Sequence, residues 1–173
     1  EFVNSNQVLL SIKKSKRQNA LQQVEIQELL GDNHRALGQP QKALNFYNEG
    51  LDIAQQGSLP DKVIGLNTKI GAIYAEKGDT GNAEKFYNNS INIAQQQSVQ
   101  QEVVQNEKMA DYYRSSNQLD KEINLRKTNL EKIENIPPQP KDTLTTQSLN
   151  FDIADAYVIQ KKYSFKQYCC CHD

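Results

Sequence analysis

The sequence has no tryptophan, a single methionine (Met109) and no cysteine before position 169. Its three cysteines stand together as Cys169, Cys170 and Cys171, which excludes a disulfide framework, because that needs thiols spread along the chain. Three adjacent thiols followed by His172 also lack the paired spacing that converges on a tetrahedral zinc ion, so this segment reads as a non-catalytic tail. No apolar run comes near the roughly 18 residues of a membrane span, and no membrane partner is expected. The charged-then-apolar order of a signal peptide does not open the chain, so such a leader is expected to be absent or already removed. Neither charge sign dominates: 20 Lys and Arg face 21 Asp and Glu, a net charge of -1. That balance argues against a nucleic-acid partner held by a general basic field. Hydrophobic residues make up only 37% of the chain, too few for one thick core.

What the chain has in excess is side-chain amide, with 20 Gln and 17 Asn among 173 residues. Such a composition suits a thin, layered architecture in which each helix buries a narrow stripe and turns a polar face outward. It also has an internal repeat. Residues 29–58 laid over 69–98 match at Gly31/Gly71, Gly38/Gly78, Ala43/Ala83, Phe46/Phe86, Tyr47/Tyr87, Asn48/Asn88, Ile53/Ile93, Ala54/Ala94, Gln55/Gln95, Gln56/Gln96 and Ser58/Ser98.

Each unit reads as two helices. Over Val63 to Lys77, the residues Leu66, Ile70, Ile73 and Tyr74 recur at helical spacing. Gly78 then stops the helix, and Asp79 or Thr80 caps the next. The second helix, over Gly81 to Gln97, carries Ala83, Phe86, Tyr87, Ile91 and Ala94 on one stripe. Pro40 and Pro60 stand where a first helical turn tolerates proline. A third unit begins at Met109-Ala110-Asp111-Tyr112-Tyr113, turns at Asn117-Gln118 and continues through Ile123, Leu125, Leu130 and Ile133. After Pro137, Pro138 and Pro140, Leu149, Ile153, Ala154 and Tyr157 start a fourth. The expected organisation is a closing helix of a preceding repeat (1–17), repeats at 20–58, 60–98 and 99–136, a Pro-rich linker (137–142), a partial repeat (143–168) and a tail (169–173).

The series Ile70-Gly71, Tyr74, Gly78, Ala83 and Tyr87, with its counterpart Leu30-Gly31, His34, Gly38, Ala43 and Tyr47, resembles the tetratricopeptide repeat. The resemblance covers most of residues 20–165. It implies an all-α fold, a right-handed α-solenoid of about four helix-turn-helix pairs, with small residues at the helix contacts and aromatics between pairs. The 40-residue period exceeds the family's usual length of about 34. It is similar to the long repeats of bacterial signalling proteins such as sensor histidine kinases. Glu122 and Lys166 depart from the pattern by replacing the small residue, which predicts less regular packing in the last two units.

The chemistry-bearing residues have structural readings. His34 occupies an aromatic position between helices, and His172 lies in the tail. Gly78-Asp79-Thr80-Gly81 is similar to an aspartic-protease loop, but that chemistry needs two facing loops and only one exists. Asn88-Asn89-Ser90 has a glycosylation pattern on a predicted helix. Lys13, Lys14, Lys16 and Arg17 read as a solvated segment. No enzyme activity, cofactor or metal is expected.

Carried over from the family, the concave face would take Glu25, Glu28, Asp32 and Arg35 from the first unit. Gly65, Thr68, Ala72, Ala75 and Glu76 would come from the second, and Val104, Glu107, Asp111, Arg114 and Ser115 from the third. The fourth would add Ser148, Phe151, Asp155 and Val158. Seven acids and two arginines make this expected groove acidic. It lacks the basic clamp that grips chaperone tails and instead suits a protein or peptide rich in Lys or Arg. The expected role is an interaction or sensory region of a bacterial signalling protein, excised from a longer chain. The alternative is a scaffold or assembly adaptor that self-associates through its terminal helices, near Tyr157, Tyr163, Phe165 and Tyr168.

Overall fold

The computed structural model describes residues 2–13 and 19–135. The Pro-rich linker, the fourth unit with Phe151 and Asp155, the terminal tyrosines, the cysteine tail and Lys14, Lys16 and Arg17 lie outside the described residues. Among the described residues there are seven α-helices and no strand. They are α1 (Phe2–Lys13), α2 (Ala20–Ala36), α3 (Pro40–Gln56), α4 (Pro60–Glu76), α5 (Thr80–Gln97), α6 (Val99–Ser115) and α7 (Leu119–Glu134).

Local chemistry sets the helix ends. Asn19 caps α2: its side chain accepts from Gln22 N at 2.9 Å, while its own N–H donates to the Gln22 amide oxygen at 3.2 Å. Pro40 and Pro60 open α3 and α4 at a position with no hydrogen bond to lose. Asp79 caps α5 by accepting from Asn82 N at 3.1 Å, and this bond and one from the Asn82 side chain hold its carboxyl below the usual range. Ser98 does the same for α6 through Gln101 N. Between the helices of each pair the chain turns through a left-handed residue: Gly38 (φ 67°), Gly78 (φ 73°) and, in the third pair, Asn117 (φ 59°).

The chain divides into two compact units, Glu1–Gln96 and Gln97 onward. In the first, α2 packs on α1 and α3, and α3 also packs on α4. Val24, Ala43, Leu44, Tyr47, Leu66, Ile70 and Ile73 form its core. His34 stacks on Phe46 with ring centroids 5.2 Å apart, and Tyr74 stacks on Phe86 at 5.5 Å. The expected close approach is most severe at Gly31, where a Cβ would enter the edge of the fully buried Tyr47 ring. At Gly71 the nearest atoms, from Ala83, Phe86 and Tyr87, lie at an ordinary 3.4 Å.

In the second unit α6 packs on α7. Val103, Met109, Ala110, Tyr112 and Ile123 are buried. Aligned on the turn residues, Glu122 takes the place of Ala43 and Ala83, Arg126 that of Tyr47 and Tyr87, and Asn129 that of Gly50 and Ser90. All three of these polar residues are buried, with exposures of 0%, 2% and 0%. The departure at Glu122 therefore does not open a gap, because the carboxylate is enclosed by arginines from both helices. Amides are also drawn inside. Gln27, Asn67 and Asn106 hold one equivalent position on the three first helices, and all are buried.

Candidate functional site

Spacings of three and four residues bring Glu25, Glu28, Asp32 and Arg35 to one face of α2. In the first unit this face is laced to α4. Lys62 Nζ lies 3.6 Å from Glu25 Oε1 and 3.0 Å from Glu28 Oε2. Lys69 Nζ lies 3.0 Å from Glu28 Oε1 and 2.6 Å from Asp32 Oδ2. Arg35 donates to Glu76. From α3, the Tyr47 hydroxyl donates to Asp32 Oδ1 at 2.6 Å. Thr68 serves its own helix, bonding Ile64 O at 3.0 Å. Beside it a Cβ at Gly65 would meet open space.

The lysines change the charge of this face. Glu25, Glu28, Asp32 and Glu76 are met by Lys62, Lys69 and Arg35, leaving one carboxylate in excess. Neither lysine stands at a concave position of the family pattern, so the pattern alone omits them. A sequence signal does exist: the paired residues lie 34, 37 and 41 positions apart, close to one repeat period. Opposite charges at that offset mark contacts between neighbouring first helices.

Burial opposes the ionisation of Glu28, but hydrogen bonds from Lys69 and Lys62 outweigh it and hold its carboxyl below the ordinary value. Burial, then the bond to Asp32, pushes the Tyr47 phenol up, so it remains a neutral donor. Because its folded value is depressed, Glu28 contributes stability that is present above its ordinary value of 4.5 and is lost as pH falls through the folded value. Urea midpoints of the chain are expected to fall below that pH, and Glu28→Gln should flatten the fall in that window.

The second unit carries Glu107, Asp111 and Arg114 on α6 above a buried guanidinium that the family pattern does not foresee. Arg126 of α7 donates to Glu107, to Asp111 Oδ1 at 2.7 Å and to Glu122 Oε1 at 3.1 Å. Arg114 Nε donates to the same Glu122 oxygen at 2.7 Å. Asn129 donates to Glu107 Oε1 at 2.6 Å and accepts from Asn106 at 2.8 Å. Glu122 Oε2 is buried without a hydrogen-bond partner. Arg126 and Tyr47 are equivalent, and each reaches the first-helix aspartate 15 positions earlier. Among the described residues no group of three His, Cys, Asp or Glu is placed to hold a metal ion.

The helix pairs, their turns and the Gly–aromatic contacts are those of a known repeat. A family model described as the tetratricopeptide repeat matches residues 24–56 and 64–97. These two segments, less than half of the chain, are similar to tetratricopeptide repeats. The match ends at residue 97, before α6 and α7. No curated protein matches the chain. Among solved structures, the crystal structure of BtubC (BKLC) from P. vanneervenii is similar, with a TM-score of 0.70 and 18% identity. The likeness covers 94% of this chain but only 66% of that one. At this identity it speaks for the fold: an all-α, tetratricopeptide-repeat type of α-solenoid. Tetratricopeptide repeats in general mediate protein–protein interaction or scaffolding and are non-catalytic.

Proposed function

We propose that the chain is the interaction or sensory region of a bacterial signalling protein, using its first-helix faces to hold a protein or peptide that carries Lys or Arg. The carrying observation is a shared triad. Glu28, Asp32 and Arg35 on α2 recur as Glu107, Asp111 and Arg114 on α6. Both aspartates are held from beneath by the second helix of their pair and yet face solvent, with side-chain exposures of 41% and 70%. Carboxylates fixed in this way bind a cation without having to be ordered first. Phe151 and Asp155 extend the same expected face in sequence.

Titration of labelled Lys-Ala and Glu-Ala peptides at two salt concentrations tests this. The basic peptide should bind, more weakly at high salt. Preference for the acidic one would overturn the reading. The scaffold alternative draws on α1, whose Val8, Leu10 and Ile12 are exposed. Self-association through that face predicts a concentration-dependent sedimentation coefficient, and a strict monomer would remove it.

A further inference from the structure

Within the first unit α1 is held in a different way from the helices it adjoins. Among its described side chains, residues 4–13, only Asn6 is buried, whereas α3 buries Ala43, Leu44, Tyr47, Gly50, Leu51 and Ala54. Leu9 is half-buried, and Val8, Leu10 and Ile12 are exposed. The contacts that fasten α1 are polar. Asn33 of α2 donates to Asn6 Oδ1 at 2.9 Å and to Ser5 Oγ at 3.2 Å. Seven residues after Asn6, Lys13 Nζ lies 2.9 Å from each carboxylate oxygen of Glu49 on α3. It also lies 5.5 Å from the centroid of the Phe46 ring, which stacks on His34. The lysine is thus met by a carboxylate and by an aromatic ring together. The repeat does not carry this arrangement onward. In the second pair Asn89 stands at the place of Glu49, and Lys85 of the same helix lies over the Phe86 ring.

A helix with few buried apolar contacts and solvent-exposed polar fastenings opens ahead of the structure it lies on. We infer that α1 is a displaceable occupant of a helix seat on α2 and α3. The seat is a docking site for a helix of a partner protein that presents an amide to Asn33 and, two turns later, a lysine to Phe46 and Glu49. α1 is then a built-in competitor for that partner. A second copy of the chain offers only the same helix, without the advantage of being tethered beside the seat. The occupant that displaces α1 is therefore a different helix, with stronger contacts at these places. The seat uses neither Glu28 nor Asp32, so it does not rest on the reading of the first-helix faces.

Hydrogen exchange of the full chain should show α1 opening at least about tenfold faster than α2, α3 and α4. Glu49→Lys should speed it further, and Lys13→Glu combined with Glu49→Lys should restore it. A labelled synthetic peptide of residues 2–13 then probes the seat by fluorescence anisotropy. Lys13→Glu, at a side chain 32% exposed, sets two carboxylates against each other and releases α1 without touching the core. That variant should bind the peptide about tenfold more tightly than wild type, whose own α1 competes. Adding Glu49→Gln should abolish the gain, which separates this seat from the Glu28–Asp32 face. An α1 as protected as α3 would overturn the inference. So would a Lys13→Glu protein that takes up the peptide no better than wild type, or a gain that survives Glu49→Gln. Each of these results leaves the reading of the first-helix faces standing.

Discussion

Arg126→Ala is expected to destabilise the second unit by about 3–5 kcal/mol, the range for breaking a buried ion pair from one side. Arg126 is 2% exposed and donates to three carboxylates. Without it, Glu122 retains Arg114, and Glu107 and Asp111 lose their buried guanidinium. Hydrogen exchange in α6 and α7 should report the loss first, alongside a lower urea midpoint. The internal repeat supplies a stricter comparison. Glu122→Ala with Arg126→Tyr installs the Ala43–Tyr47 couple of the first unit and removes both buried charges together. Replacing a whole buried network by an apolar packing is often neutral, whereas removing one member is not. The double variant should therefore be milder than Arg126→Ala. Equal damage would show that α6 and α7 do not accept the packing of the earlier pairs.

The second large effect is at Gly31. Alanine ordinarily favours a helix by up to about 1 kcal/mol over glycine. At Gly31 the added methyl would overlap the Tyr47 ring, which is fully buried and tied by its hydroxyl to Asp32, so it cannot swing aside. Gly31→Ala is expected to cost about 1–3 kcal/mol of the first unit through overpacking. Gly71→Ala, with its nearest neighbours at 3.4 Å, should be neutral or stabilising. Thermal unfolding of the two variants checks this contrast. Tyr47→Leu should shrink the Gly31→Ala penalty, a coupling that a double-mutant cycle reads directly.

Much of the fold is written in local chemistry. Apolar spacing, the left-handed glycines at 38 and 78, and Asp79 as a cap are each decided within a few residues, and α5 starts at Thr80, one residue before the expected Gly81. The face residues Glu28 and Asp32 follow from helical period alone. Lys62 and Lys69 do not, because their roles come from a neighbouring helix, about one repeat away in sequence. Glu122 is legible as the residue that replaces the small one, but its burial with Arg126 is hidden for another reason. Periodicity treats charges as surface, and an arginine or glutamate is almost never fully buried unless paired. Alignment of Asn117 with Gly38 and Gly78 shows that Arg126 occupies a core position as well. The amide surplus misleads in the same way: most of it suits outer faces, but Gln27, Asn67 and Asn106 are interior.

Those interior amides make the helices of a pair specific to one another. A Cβ on Gly50 would lie 3.1 Å from Gln27 Cβ, so α3 must be bare where α2 brings its long amide. At the matching place in the third pair, Asn129 instead reaches out to clasp Asn106. A chimera joining α2 to α7 would press an asparagine against Gln27, where even a Cβ would lie a tight 3.1 Å away. The duplicated modules are thus not interchangeable parts, and any shuffling of this array, in the laboratory or by recombination, succeeds only when both helices of a couple travel together.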